Sequence, residues 1–280
     1  MPDDIIHRTP ITRSQLAAQL RALGVRPGSV VEVHCSLSSL GFVVGGADAV
    51  VLALLEAVGR GGTLLVLTGW DHDSFDLKRW PERVRRAYLE DPPIFDPHLS
   101  EAARDFGRLA ERIRTWPGAL RSNHPEASFA ALGERALWLT DDQPWDHPYG
   151  RASPLAKLVE ADGDVLMLGA PLETLTILHY AEEVARVPTK RTVVYEAAVR
   201  AGDGVEWHKI RDIDTSAGAF PYEGTVESGG DGFEVIGRDA LNAGIGRRGP
   251  VGESASYLFP APELVRFATT WMERRFGASG

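Results

Sequence analysis

Residues 30–70 read as strand, loop, helix, glycine turn and strand, and this order constrains the fold more than any other feature of the chain. "VVEVH" (30–34) is short and β-branched, which suits a strand. "CSLSSLGFVVGG" follows as a loop, and "ADAVVLALLEAVG" (47–59) predicts a helix. After the turn "RGG" comes a second apolar run, "TLLVLTGW" (63–70). A helix placed between two strands in this way is a crossover, and crossovers join parallel neighbours of one sheet.

The rest of the chain extends that unit. "TRSQLAAQLRALGV" (12–25) predicts a helix ending near Gly24. Residues 71–120 are rich in Pro, Asp and Trp and predict irregular structure, with a helix near 105–116. An insertion beside strand ends often builds a binding site. "SPLAKLVEAD" (153–162) predicts a helix with Ser153 as N-cap and Pro154 in its first turn. "DVLMLGA" (164–170) reads as a buried strand, and 174–186 as a helix capped by Thr174. Residues 191–214 predict an antiparallel pair around "AGDG", and 264–277 an amphipathic helix. The expected fold class is α/β: a central mixed sheet flanked by helices, with the Pro/Asp-rich insertion beside the active-site cleft. Residues 1–280 are expected to form one domain.

Composition narrows the function classes. The 280 residues are 44% hydrophobic and 25% charged, values ordinary for a globular enzyme. Cys35 is the only cysteine, so no disulfide forms within the chain, which suits a reducing cytoplasm. The net charge of −9 repels nucleic acid and anionic lipid and favours a cationic partner. "MPDDIIHRTP" has no signal-peptide character, and the most apolar stretch is too short to span a membrane. A cytoplasmic protein with no nucleic-acid or membrane partner is expected.

Several loops could carry chemistry. "VHCSLSSLG" (33–41) follows a strand and precedes a helix, so its small residues leave backbone N–H groups open to an anion or amide ligand; the plain alternative is a serine-rich turn. His34 and Cys35 are neighbours on a strand and point to opposite faces, so they do not pair. "RSNHPEAS" (121–128) brings together Arg121, Ser122 and His124, with a structural loop as the alternative. In "TILHYAEE" (176–183), Thr176, His179 and Glu182 share one helix face. Glu182 there can fix the tautomer of His179 and strengthen it as a base, although such pairs also occur as structural contacts. Glu183 lies about 100° further round, on the side expected to face solvent. Asp71 and Asp73 follow a strand, and Asp212 and Asp214 alternate in "RDID", where they could face one cation or simply be solvated. The eight histidines show no metal-ligand spacing, and no dinucleotide or phosphate-loop pattern occurs.

Taken in order, "VHCSLSSLGFVVGGADAVVLALLEAVGRGGTLL", "GWDHDSFD", "RSNHPEASFAALG", "SPLAKL", "LGAPLETLTILHYAEEVARVPTKR" and "GPVGESASYLF" resemble the aminoglycoside 3-N-acetyltransferase family over roughly residues 10–277. The resemblance implies acetyl transfer from acetyl-CoA, without a metal, to the 3-amino group of the 2-deoxystreptamine ring, and hence antibiotic resistance. It implies His179 as general base and Glu182 as its orienter, with His34 as a candidate second catalytic histidine. Ser36, Leu37, Ser38 and Ser39 are implied to contact coenzyme A. Backbone N–H groups or hydroxyls of the serine loop, or Thr68, would stabilise the oxyanion, and Arg121, Ser122 and His124 would hold the coenzyme end. Asp71, Asp73, Glu126, Asp212 and Asp214 are the expected substrate-facing acids, partly on the wall built by 71–120. The expected partners are the aminoglycoside and coenzyme A, with the chain a monomer or homodimer. Three rival expectations remain: another amine metabolite as acceptor, a metal-dependent hydrolase built on His34, His124 and His179, and a non-catalytic coenzyme A- or aminoglycoside-binding module. "RSNHP" departs from the family by carrying Asn123 where a small residue is expected, and "RDIDTSAGAFPYE" departs after its acids. Both departures bear on substrate range rather than on reaction type.

Overall fold

The computed structural model describes residues 9–70, 77–216, 218–222 and 231–277. The expected crossover is present. Strand β1 is Pro10–Ile11 and helix α1 is Arg13–Leu23, closed at its start by a Thr12–Gln15 capping box. Strand β2 is Val30–Cys35, β3 is Phe42–Val43, α2 is Gly46–Val58 and β4 is Thr63–Leu67. β2 and β4 pair in parallel, with Val30 opposite Thr63. The insertion contributes α3 (Glu82–Glu90), α4 (Gly107–Arg114) and the short β5 (Leu120–Arg121). Then come β6 (Phe129–Gly133), α5 (Ala136–Thr140), α6 (Pro154–Glu160), β7 (Asp164–Leu168) and α7 (Ile177–Val184). The hairpin β8 (Thr192–Ala201) and β9 (Gly204–Ile213) follows, then α8 (Gly232–Asn242), β10 (Arg247–Val251), β11 (Ser254–Pro260) and α9 (Ala261–Phe276).

Seven strands form the central sheet in the order β10-β11-β7-β2-β4-β6-β5. The β2–β4 and β2–β7 pairs are parallel and the other pairs are antiparallel, so the sheet is mixed. Side chains alternate across its faces. Val31, Val33, Leu64, Val66, Leu166 and Leu168 pack on one side against α1, α2 and α4. Val30, Leu65, Leu67, Val165 and Met167 pack on the other, against α6, α7 and α9. Each fully buried leucine here contributes roughly 2 kcal/mol by leaving water. The two apolar faces explain why the central strands read as continuous hydrophobic runs.

Alternation also assigns β2's two polar side chains. Glu32 and His34 share the face of Val30, the face that α7 covers. β2 has parallel neighbours on both sides, and the chain leaves it toward β4 on one side only. The carboxyl ends of β2 and β7 therefore border the crevice where ligands bind in open α/β sheets. Gly169, just after β7, has φ +64°, and a Cβ there would lie 3.0 Å from the Ser39 Cβ and 2.9 Å from the Ser254 hydroxyl. Glycine thus lets the exit of β7 press against the serine loop.

Several expectations need correction. The helix expected over 174–186 is shorter, and Thr174 does not cap it: Leu172–Thr174 form a separate 3-10 turn whose Thr174 hydroxyl donates to the Pro171 carbonyl. The second strand ends at Leu67 rather than at residue 70. α8, β10 and β11 are elements that the sequence pattern does not predict; glycines interrupt the patterns of α8 and β10.

Candidate active site

A cavity of about 1020 Å³ opens at the carboxyl ends of β2 and β7. Its walls come from distant parts of the chain. The β2 end and serine loop supply His34, Cys35, Ser36, Leu37 and Ser38; the start of α2 supplies Gly46 and Ala47. The insertion supplies Asp105, Phe106, Gly107 and Arg108. Glu173, Thr176 and His179 come from the β7–α7 region, and Glu126, Tyr149, Asp212 and Phe233 complete the wall.

His179 sits in the first turn of α7. Its Nδ1 lies 2.8 Å from Glu182 Oε2, with Glu182 only 1% exposed. The other Glu182 oxygen accepts a 2.7 Å hydrogen bond from the Tyr222 hydroxyl. Burial, and then the Glu182 charge, raise the Tyr222 phenol well above its usual range, so it remains a donor. The His179 ring is flanked by Tyr149 at 5.0 Å and by Phe233 at 4.9 Å, centroid to centroid. A neutral imidazole that donates from Nδ1 presents Nε2 as its acceptor. The helical spacing therefore yields a histidine with a fixed tautomer and an oriented ring.

The acids fall into three groups. Asp212 and Glu126 line the cavity. Asp212 is 2% exposed, and burial, reinforced by the charges of Glu183, Glu126 and Glu182, pushes its carboxyl up to about 8 although the Ile213 N–H opposes the shift. Asp214 does not share that face, because β9 ends at Ile213 and the alternation ends with it. Its carboxylate instead accepts from the backbone N–H and hydroxyl of Ser216. Asp71 and Asp73 lie outside the described residues. Glu183 is not a solvated charge: its side chain is 9% exposed, and Oε1 lies 3.0 Å from His147 Nδ1.

The serine loop borders the cavity through Ser36, Leu37 and Ser38, while Ser39 is exposed off the cavity wall and its hydroxyl lies 2.7 Å from that of Ser36. Burial pushes the Cys35 thiol up to about 12, which keeps it protonated.

The residues expected to hold the coenzyme end form a separate structural network instead. Arg121 donates to the Thr68 and Ser100 carbonyls and to the Ser128 hydroxyl, and burial lowers it to about 9. The Ser122 hydroxyl accepts from the Phe129 N–H at 2.9 Å and donates to Gln143. His124 is fully buried; its Nδ1 accepts from the Ala127 N–H at 3.0 Å, and Nε2 lies 3.2 Å from the Trp145 carbonyl. Burial lowers it to about 4, so it is neutral. The Thr68 hydroxyl donates to the Ser128 carbonyl at 3.1 Å and is fully buried. None of the four lines the cavity. The polar side chains of this loop instead close hydrogen bonds that tie β4, β5 and β6 together. The same placement separates His124 from His34 and His179, so the three do not converge as a hydrolase would need.

Sequence reasoning missed Tyr149, Tyr222, Phe233, Arg108 and Glu32. Only Glu32 left a signal, as an acid inside a β-branched strand two residues before His34.

A cavity with an oriented histidine on one wall and carboxylates on another has the chemistry of an enzyme that handles a cationic substrate. The profile of the aminoglycoside 3-N-acetyltransferases matches residues 33–273. The chain is 49% identical over 269 residues to the aminoglycoside N(3)-acetyltransferase VII of Streptomyces paromomycinus, covering 96% of this chain and 93% of that one. The crystal structure of aminoglycoside acetyltransferase AAC(3)-Xa superposes with a TM-score of 0.93 at 46% identity, covering 95% and 94% of the two chains. AAC-IIIb in binary complex with CoASH gives 0.89 at 42% identity, covering 97% and 100%. The chain belongs to the aminoglycoside 3-N-acetyltransferase family and is an N-acetyltransferase. Among the described residues no helix is long and apolar enough to cross a membrane.

Proposed function

We propose that this chain transfers the acetyl group of acetyl-CoA to the 3-amino group of the 2-deoxystreptamine ring of aminoglycosides, with His179 as general base. The observation that carries the reading is the 2.8 Å His179–Glu182 pair on the wall of a cavity that also holds Asp212 and Glu126. An aminoglycoside amine near neutral pH is largely an ammonium and cannot attack a thioester. Nε2 of His179 accepts the proton that the amine must lose, and Glu182 holds the ring in place and stabilises the imidazolium that forms. Tyr222 keeps Glu182 from rotating away.

The coenzyme reading rests on Ser36, Leu37, Ser38 and the start of α2, with Arg108 as the cation suited to its phosphates. Backbone N–H groups of the serine loop, rather than the Thr68 hydroxyl, which donates to the Ser128 carbonyl, are the donors suited to the oxyanion of the tetrahedral intermediate. Asp212 and Glu126 recognise the cationic acceptor; a bound ammonium favours the ionised form of Asp212 that burial alone disfavours. Acetylation removes a positive charge from the drug, which gives resistance. The chain acts as one domain, needs no metal and works in the cytoplasm, where its single cysteine stays reduced.

Coenzyme thiol release with acetyl-CoA across gentamicin, tobramycin, neomycin and apramycin tests the reading. Release with at least one of them is expected. Release with none, alongside release with an unrelated amine, would point to the alternative acceptor class.

A further inference from the structure

A second histidine–carboxylate pair reaches the same cavity through its histidine and has no part in the scheme above. Glu32 is 0% exposed, and neither carboxylate oxygen has a hydrogen-bond partner. His34 follows two residues later on the same face of β2, and its Nε2 lies 3.4 Å from Glu32 Oε1, also without a hydrogen bond. The His34 side chain is 11% exposed and reaches the cavity wall. With Nε2 directed at Glu32, Nδ1 is the ring nitrogen left for the cavity. A buried carboxylate with both oxygens unmet is costly unless a positive charge or a proton offsets it. The nearest group able to carry that charge is the His34 ring. Tyr149 connects the two histidine sites: its ring lies 5.0 Å from His179, and the Glu32 charge is among those acting on its phenol.

We propose that His34, as an imidazolium, protonates the departing coenzyme sulfur, and that Glu32 is the positioning residue behind it. This inference rests on His179 being the base for the amine. As the acetyl carbon forms its C–N bond, the ammonium loses two protons, one before the attack and one after it through His179. When the C–S bond breaks, the electron pair leaves on sulfur and takes the proton from His34. Solvent then reprotonates His34, so the net result is one proton on the thiol and one released. The two histidines thus divide the work: one removes protons from nitrogen, the other supplies one to sulfur. Titratable groups lining the cavity with His34 are Cys35, Asp105, Arg108, Glu126, Tyr149, Glu173, His179 and Asp212, and Glu32 faces the ring from behind.

The test uses the protein with coenzyme A bound, followed by the ultraviolet absorbance of the thiolate as pH is varied. An imidazolium beside the sulfur favours the thiolate. The bound thiol is expected to ionise at least tenfold more readily in the natural protein than in His34→Gln, with Glu32→Gln falling between them. His179→Ala is expected to leave that titration unchanged while abolishing turnover. His34→Gln is expected to lower single-turnover acetyl transfer about 100-fold, at the lower end of the range for loss of a general acid or base. Coenzyme affinity measured by calorimetry confirms that each variant is folded. The same thiol titration in the natural protein and His34→Gln would overturn the proposal, as would a normal single-turnover rate in His34→Gln. A His179→Ala variant that still turns over would instead overturn the underlying assignment of the base.

Discussion

His179 and His124 both stand in polar stretches that the sequence marks as functional, yet the fold treats them in opposite ways. His179 keeps 19% of its side chain exposed, shares a proton with a buried carboxylate and faces the cavity. His124 keeps none, is held by backbone groups at both nitrogens, and is lowered to about 4 by burial. One ring is oriented by a buried carboxylate at the cavity wall; the other sits where protonation is suppressed. The lesson is that a histidine's partner and exposure, not its neighbours in sequence, decide whether it can move a proton.

Replacing His179 should have the largest effect. His179→Ala is expected to lower kcat by about a thousandfold or more, in line with the loss of a general base, while calorimetric coenzyme binding survives. Glu182→Gln keeps the shape but cannot stabilise the imidazolium. It should lower kcat about a hundredfold, in the range typical of a group assisting proton transfer. Equal loss of coenzyme affinity in either variant would mean that the pair shapes the cavity rather than moving protons.

Asp212 should act on acceptor binding. Its carboxyl stands at about 8 in the folded, empty protein. A cationic acceptor binding at pH 7 should therefore ionise it and release a proton, which calorimetry in two buffers of different ionisation enthalpy detects. Asp212→Asn should remove that proton release and raise the acceptor KM about tenfold, the equivalent of about 1.4 kcal/mol. The sign for stability follows from the same shift. The folded value lies above the ordinary 3.8, so the empty protein loses stability as pH rises through about 8, and Asp212→Asn should lose less over that interval.

Tyr222→Phe removes one hydrogen bond to Glu182 and should lower kcat about fivefold, roughly 1 kcal/mol for a single bond. His124→Asn should have the smallest effect on turnover, within about twofold, because the ring lies off the cavity. Its cost should appear in thermal unfolding instead, as a loss of about 1–3 kcal/mol for a buried hydrogen-bonded group. His124 is lowered from 6.5 to about 4, so its contribution is present above the ordinary value and lost as pH falls through about 4. The variant should therefore show a weaker acid limb of destabilisation. A tenfold fall in kcat for His124→Asn would collapse the distinction between the two rings.

Local pattern made much of this legible. The crossover from Val30 to Leu67, the Ser153 cap and the β8–β9 hairpin all follow from periodicity and turn chemistry that act within a few residues. The His179–Glu182 pair was visible because one helical turn suffices to bring the two together. Tyr222 was not, since it meets Glu182 from forty positions further along the chain, and Phe233 reaches the His179 ring from yet another element. Arg121, Ser122 and Thr68 were misplaced for the converse reason. Hydroxyls and guanidinium groups look alike in sequence whether they face a ligand or close the hydrogen bonds of buried backbone, and here they close them. Asp214 was paired with Asp212 by an alternation that stops one residue too soon.

The central claim is that His179 takes the proton from the acceptor amine, and rescue of His179→Ala by added imidazole tests it most directly. Turnover that is negligible without imidazole and rises with its concentration, with coenzyme affinity unchanged, is the predicted result. Near-normal turnover of that variant without imidazole would contradict the account.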